Sequence, residues 1–217
     1  MRGGLAYKNK LFLYLWLYAT TMSIIYKIDE SKRIYINIID RYRCTNDCVF
    51  CDREKIEDKL GVNLYLSDKP SFDEIKARLI KIDEDVEEFV FCGLGEPTLE
   101  LQLLLKTAKY IKKSFNSKVR LVTNGHGDLI HGREIASELK DGGVDIISVS
   151  LNSLSKENYE LLHRPKYENA FDSVKKFIKN CPTRTVVTFI SFYDLDKDKA
   201  AFLAKNLGAE VRFRNYF

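Results

Sequence analysis

Three of the five cysteines, Cys44, Cys48 and Cys51, fall within the stretch RCTNDCVFC, Arg43 to Cys51. Thiolates bind soft metals, and three at this spacing converge on one centre only if the chain wraps around it as a loop. A structural zinc site takes four protein ligands, so the trio would need a histidine, and the chain has three: His126, His131 and His163. A catalytic zinc with an open position is a second possibility. A four-iron cluster held by three cysteines is a third, and it leaves one iron open to a substrate or cofactor. Ordinary core burial does not explain cysteines gathered in a polar loop. Cys92, inside an apolar run, and Cys181, beside Pro182, read as packing residues and not as ligands.

The elements that must position this loop alternate regularly. RIYINIID (33–40), EEFVFCG (87–93), VRLVTNG (119–125), DIISVSLN (145–152), TRTVVTFIS (183–191) and EVRFRNY (210–216) read as six strands. Between them the apolar period becomes helical. Ser71 and Glu74 form a capping-box pattern ahead of Phe72, Ile75, Leu79 and Ile82, and Leu101, Leu104, Leu105, Ala108 and Ile111 share one helix face. Ser155, Asn169 and Asp194 are expected caps of later helices, and Gly208 marks where the last one stops. Strand–helix repetition implies parallel strands with right-handed crossovers, either doubly wound or curved into an incomplete barrel. In both, chemistry collects at the carboxyl ends of the strands. The longest connection without an obvious element, residues 44–71, follows the first strand and begins with the cysteines.

At 217 residues and 45% hydrophobic composition, the chain can bury one sizeable core. The net charge of +4 owes three positive charges to Arg2, Lys8 and Lys10, within a leader free of Asp and Glu, and the remainder is close to neutral. Basic and acidic residues interleave there, so no basic stripe argues for nucleic acid. The apolar run LFLYLWLYA, Leu11 to Ala19, is too short to span a bilayer, which takes about 20 residues. Residues 1–21 are read as a dispensable extension and residues 22–217 as a single domain. An odd cysteine count without a disulfide framework fits a reducing, cytoplasmic compartment, which argues against a signal peptide or membrane anchor.

CxxxCxxC after the first strand, with Phe50 before the last cysteine, resembles the signature of the radical S-adenosylmethionine (SAM) superfamily. FCGLGEPTL (Phe91 to Leu99) is similar to the Gly-Gly-Glu-Pro segment after that superfamily's second strand, with Leu94 interrupting the glycine pair. LVTNGHG, VSLNS and LHRP resemble segments after the third and fourth strands. Together with TNGHGDLIHGR, these most closely resemble the TatD-associated radical SAM proteins, over about residues 33–217. The resemblance implies a partial (βα)6 TIM-like barrel of parallel strands with outer helices.

It also implies roles. Cys44, Cys48 and Cys51 would ligate three irons of a [4Fe-4S] cluster whose fourth iron chelates SAM. Phe50 would shield the cluster near the adenine. Gly93, Gly95, Glu96 and Pro97 would receive the methionyl amino group, the glycines letting the backbone approach a ligand. Thr123, Asn124 and Gly125 end the third strand, and Ser150 and Asn152 the fourth, where short polar groups can meet ribose or methionyl atoms; they can equally cap loops. Arg164 would pair with the cofactor carboxylate through its fork. His126 and His131 are expected near the substrate entrance as proton donors or acceptors. Arg212 and Arg214 alternate on the last strand and are expected to face the open mouth toward an anionic substrate.

The implied activity is reductive cleavage of SAM to a 5′-deoxyadenosyl radical that abstracts hydrogen from an unidentified small molecule, with a ferredoxin- or flavodoxin-like reductant and a functional link to a TatD-type hydrolase. Alternatives within the class are a 7-carboxy-7-deazaguanine synthase-like ring contraction and a glycyl-radical-activating enzyme. Outside it, a zinc-stabilised binding module remains open.

Overall fold

The computed structural model describes residues 23–51, 61–191 and 195–215. The hydrophobic run of the leader and Asp194 lie outside these residues. Six parallel strands form where the β-branched runs predict them: β2 (Arg33–Ile36), β3 (Glu88–Phe91), β4 (Lys118–Thr123), β5 (Ile146–Ser150), β6 (Arg184–Ser191) and β7 (Glu210–Asn215). They lie side by side in chain order. A seventh strand, β1 (Ile25–Tyr26), adds antiparallel to β2, pairing Ile25 with Ile36. At two residues it is too short to carry a period-2 signal, and it extends the expected six-strand sheet to seven.

Helices fill the crossovers: α1 (Phe72–Leu79), α2 (Leu101–Ser114), α3 (Gly127–His131), α4 (Ala136–Asp141), α5 (Lys156–His163), α6 (Ala170–Asn180) and α7 (Lys197–Asn206). Ser71 and Glu74 cap α1 reciprocally, and Ser155 caps α5 by accepting from Asn158 N–H. Asp196, not Asp194, caps α7 by accepting from Lys199 N–H. Asn169 begins α6 in a left-handed conformation, φ 53°, without a side-chain cap bond, so its role there is backbone geometry. Gly208 follows α7 at φ 74°, a conformation glycine adopts without steric cost.

One side of each strand packs beneath the helices: Ile34, Ile36, Phe89, Phe91, Val119, Leu121, Ile147, Val149, Val187 and Phe189 are buried in one core with Leu104, Ile111, Val174 and Phe177. The opposite side is concave. The charge of Arg214 on β7 bears on Cys92 just past β3, and that of Arg212 on Tyr35 in β2. In a flat sheet β3 and β7 would lie about 19 Å apart, at ~4.8 Å per strand. The sheet therefore curves into a partial barrel. At its amino ends, Arg120 bridges Glu88 at 2.9 Å and Ser148 at 2.8 Å, filling the base with paired charge. A cleft of about 740 Å³ opens there among such ion pairs, at the end that in barrels serves stability.

Candidate active site at the carboxyl ends

β2 stops at Ile36, four residues before its apolar run ends, because Asn37 turns inward. Its amide donates to Leu64 C=O at 2.8 Å and its Oδ1 accepts from Ile39 N–H. Arg41 and Tyr42 then take positive φ, 50° and 52°, and reverse the chain into the cysteine loop. Arg43 holds Asp40 at 2.5 Å and Glu100 at 2.5 Å, fixing the loop's entry. Helix α5 fixes its body: Asp47 N–H and Val49 N–H donate to the carbonyls of His163 and Leu162, and Lys166 N–H donates to Thr45 C=O. The first two bonds satisfy last-turn carbonyls of α5 that its own backbone leaves open. None of the three cysteines is in a disulfide; Cys51 is exposed and Cys44 and Cys48 are half-buried.

The segment after β3 supports the loop from below. Glu96 is 1% exposed, and both its oxygens are occupied. Oε1 accepts from Thr98 N–H, Thr98 Oγ1 and Thr123 Oγ1, and Oε2 from Asn124 N–H at 2.7 Å. Burial pushes the carboxyl pKa up, while the four donors oppose that by favouring the charged form. Asn124 in turn donates to Thr45 Oγ1 at 2.8 Å and points its amide at Cys44 Sγ, 3.7 Å away. Asn46 N–H also donates to Cys44 Sγ, at 3.4 Å. Glu96, Thr123, Asn124, Thr45 and Cys44 thus form one chain of contacts across three strand ends. N–H donors at a cysteine sulfur are what tune a thiolate-bound cluster.

The other expected site residues take the following positions. A Cβ on Gly93 would stand 2.5 Å from Asn37 Oδ1, and one on Gly95 2.6 Å from Arg43 C=O. At both glycines the backbone approaches the chain itself, at the turn that carries the cysteines. Pro97 is buried and opens a short 3₁₀ turn that leads into α2. Arg164 is 62% exposed and lies 4.0 Å from Asp47. His126 is not at an entrance: it is fully buried, between Thr45 at 2.8 Å and the Tyr159 hydroxyl at 2.9 Å. The Thr45 and Tyr159 hydroxyls can each donate or accept, so both ring nitrogens are bonded in either neutral tautomer. Burial pushes the His126 pKa down to about 4, so the ring is neutral. His131 Nε2 donates to Thr98 C=O, locking the 3₁₀ turn.

His163 was singled out in the sequence only as a zinc partner, yet it belongs to the loop's support. Its Nε2 donates to Leu151 C=O at 3.1 Å, so the lone pair of Nδ1 faces Cys48 Sγ and the Asn46 amide, each 3.4 Å away. Tyr159 stacks on its ring at 4.3 Å, and Phe50 meets it edge-on at 5.2 Å. Phe50 therefore anchors the loop on α5. Among the described residues, no group of three or more His, Cys, Asp or Glu side chains is already gathered around a point as a metal site.

Ser150 and Asn152 sit at the end of β5. Asn152 is 5% exposed with φ 49°; its Oδ1 accepts from Ile190 N–H at 2.9 Å, while its buried Nδ2 has no hydrogen-bond partner. It lines a cavity of about 390 Å³, with Leu161, Leu162 and Ile190 as apolar walls. A buried amide donor left unbonded costs about 1–3 kcal/mol, a cost that a ligand acceptor would remove.

A family model of the radical SAM superfamily matches residues 38–203, and the chain belongs to that superfamily. It is 34% identical over 179 residues to an uncharacterised protein of Methanocaldococcus jannaschii, covering 82% of this chain and 54% of that one. It is also 32% identical over 125 residues to the GTP 3′,8-cyclase of Aliarcobacter butzleri, covering 57% of this chain and 36% of the relative. The chain thus spans about half of the first protein's length and about a third of the second's. Among solved structures, methylornithine synthase superposes with TM-score 0.56 at 12% identity, over 84% of this chain and 53% of that one. Archaeal TYW1 superposes with TM-score 0.50 at 13% identity, over 100% and 83%. At such identities the likeness is one of fold: the α/β partial barrel is shared. No helix among the described residues is long and apolar enough to cross a membrane.

Proposed function

We propose that the chain is a radical SAM enzyme in which Cys44, Cys48 and Cys51 hold a [4Fe-4S] cluster and the carboxyl ends of β3–β6 hold SAM. The observation that carries this reading is the line of contacts from Glu96 through Thr123, Asn124 and Thr45 to Cys44. The donor set suits the group: three cysteines outside any disulfide on one loop, N–H donors at Cys44, and a buried amide of Asn152 lacking an acceptor. When bound, the cluster and SAM supply a reductively generated 5′-deoxyadenosyl radical.

The protein's own residues do the positioning. Glu96 keeps Thr123 and Asn124 in one geometry, and Asn124 and Asn46 direct hydrogens at Cys44. Asn152 offers its Nδ2 to a ribose or methionyl oxygen, and Ile190, Leu161 and Leu162 exclude water from an adenine beside it. The backbone after β3 offers polar groups to the methionyl amine while Gly93 and Gly95 keep that segment tight against the loop. Arg164, exposed beside Asp47, is the candidate partner of the cofactor carboxylate. The substrate is a small molecule, in line with the GTP 3′,8-cyclase relatives, and a ferredoxin- or flavodoxin-like protein in the cytoplasm supplies electrons. Membership of the TatD-associated subgroup rests on the motif resemblance.

Anaerobic chain supplied with iron, sulfide, dithionite and SAM should release 5′-deoxyadenosine and methionine. Release by the Cys48→Ala variant at the wild-type rate contradicts the assignment. One observation favours a second reading: His163 Nδ1 stands 3.4 Å from Cys48 Sγ with Nε2 on a carbonyl, an arrangement zinc-binding histidines use. Metal analysis separates them, because the zinc reading predicts one tightly held zinc and no sulfide.

A further inference from the structure

β7 alternates Val211 and Phe213 with Arg212 and Arg214, and the apolar pair packs against the core beneath the helices. Phe213 meets Phe189 at 6.2 Å between ring centroids and carries Lys197 of α7 over its face. Successive side chains of a strand point to opposite sides, so Arg212 and Arg214 stand on the concave face. Register places them opposite Thr188 and Ile190, and Ile190 N–H bonds Asn152. Arg214 is thus level with the carboxyl-end site, one strand from the backbone that Asn152 anchors. Burial pushes the pKa of Cys92 and Tyr35 up, and the charges of Arg214 and Arg212, respectively, oppose that rise from the far side of the sheet.

We propose that Arg212 and Arg214 bind an anionic group of the substrate, a carboxylate or a phosphate, on the concave face of β7. This rests on the carboxyl-end site being the reaction centre and names the chemistry of what enters it. Two guanidinium groups at alternate positions of a strand are about 6.7 Å apart at the backbone. One oxyanion between these positions is within the length of both side chains, and guanidinium forks suit a carboxylate or phosphate. Inward-pointing charges also guard sheet edges against pairing with another chain, and that role makes a different prediction.

Calorimetric titration of the full chain at low salt with inorganic pyrophosphate and, separately, with succinate reads anion binding without any metal being loaded. Binding of at least one anion is expected, and the anion that binds identifies the group as phosphate or carboxylate. R212Q and R214Q should each weaken it by about tenfold, as loss of a charge-assisted hydrogen bond implies. The double variant should show no measurable binding, whereas R133Q, at an arginine paired with Glu138 on the surface, should bind as wild type. Circular dichroism and an unchanged iron content of the double variant exclude unfolding as the cause. Absence of iron and sulfide from reconstituted wild type would remove the cofactor reading and leave this titration interpretable. Wild type that takes neither anion, or a double variant that binds as wild type, overturns the proposal. So does a double variant that keeps its affinity and only self-associates in sedimentation, the edge-guarding outcome.

Discussion

Glu96 illustrates how much a single buried carboxylate can organise. It accepts four hydrogen bonds from Thr98, Thr123 and Asn124, so its removal releases two strand ends at once. Glu96→Gln replaces an acceptor oxygen with an NH₂ facing other donors and should cost about 2–4 kcal/mol in urea unfolding. A cost within 0.5 kcal/mol of zero, roughly the scatter of surface changes, would show that the network is not load-sharing. His126 makes a pH-dependent contribution of definite sign. Folded, its pKa is about 4; unfolded, it returns to about 6.5. Above pH 6.5 the ring is neutral in both states and its contribution is constant. As pH falls below that value the unfolded chain takes up a proton that the folded chain refuses, so stability drops until the folded ring protonates near pH 4. Of the groups bonded to the ring, the Thr45 hydroxyl carries no charge in that window, and burial raises the pKa of Tyr159. His126→Gln should flatten the loss of stability between pH 6.5 and 4.5; parallel wild-type and variant curves would refute the assignment.

The cysteine loop is held by two elements, the segment after β3 and the last turn of α5. Gly95 sits at the first contact with φ 144°, a conformation open to glycine, and with Arg43 C=O where a Cβ would go. Gly95→Ala should destabilise the chain by about 2–4 kcal/mol, combining backbone strain with overpacking. A variant that melts with wild type would show that this turn yields easily. These contacts also explain what could be read from sequence. Six strands, the α1 capping box and the α2 face repeat at periods that short-range sterics impose, so they were legible. The two-residue β1 and the five-residue α3 carry too few positions for any period. The glycines announced a close approach without saying to what, because their partners, Asn37 and Arg43, lie more than 50 residues earlier. His126 looked like an entrance histidine because sequence shows a polar ring in a polar segment, whereas its burial is set by Tyr159 and Tyr167 from another crossover.

At the scale of the molecule, the two ends of the barrel differ in what they hold. Arg120 and Glu88 fill the amino-end base, and the carboxyl end gathers the cysteine loop, the Asn152 cavity and the β7 arginines. That division matches a barrel whose lower half stabilises and whose upper half reacts. It also limits what can serve as cofactor site, since the three thiols lie at one end beside one network. Cys48→Ala should therefore leave the fold intact, with a far-ultraviolet spectrum like wild type, while loading of iron falls to near background. Wild-type loading by that variant would mean that iron is held elsewhere.

The central claim is that Cys44, Cys48 and Cys51 together hold an iron–sulfur cluster with one iron left open. Iron and acid-labile sulfide, quantified per folded chain after anaerobic reconstitution, test it most directly. The account predicts about four of each, with broad absorption near 400 nm that sharpens or shifts when SAM is added. A folded, anaerobically prepared chain that takes up no iron or sulfide and instead carries one zinc would contradict it.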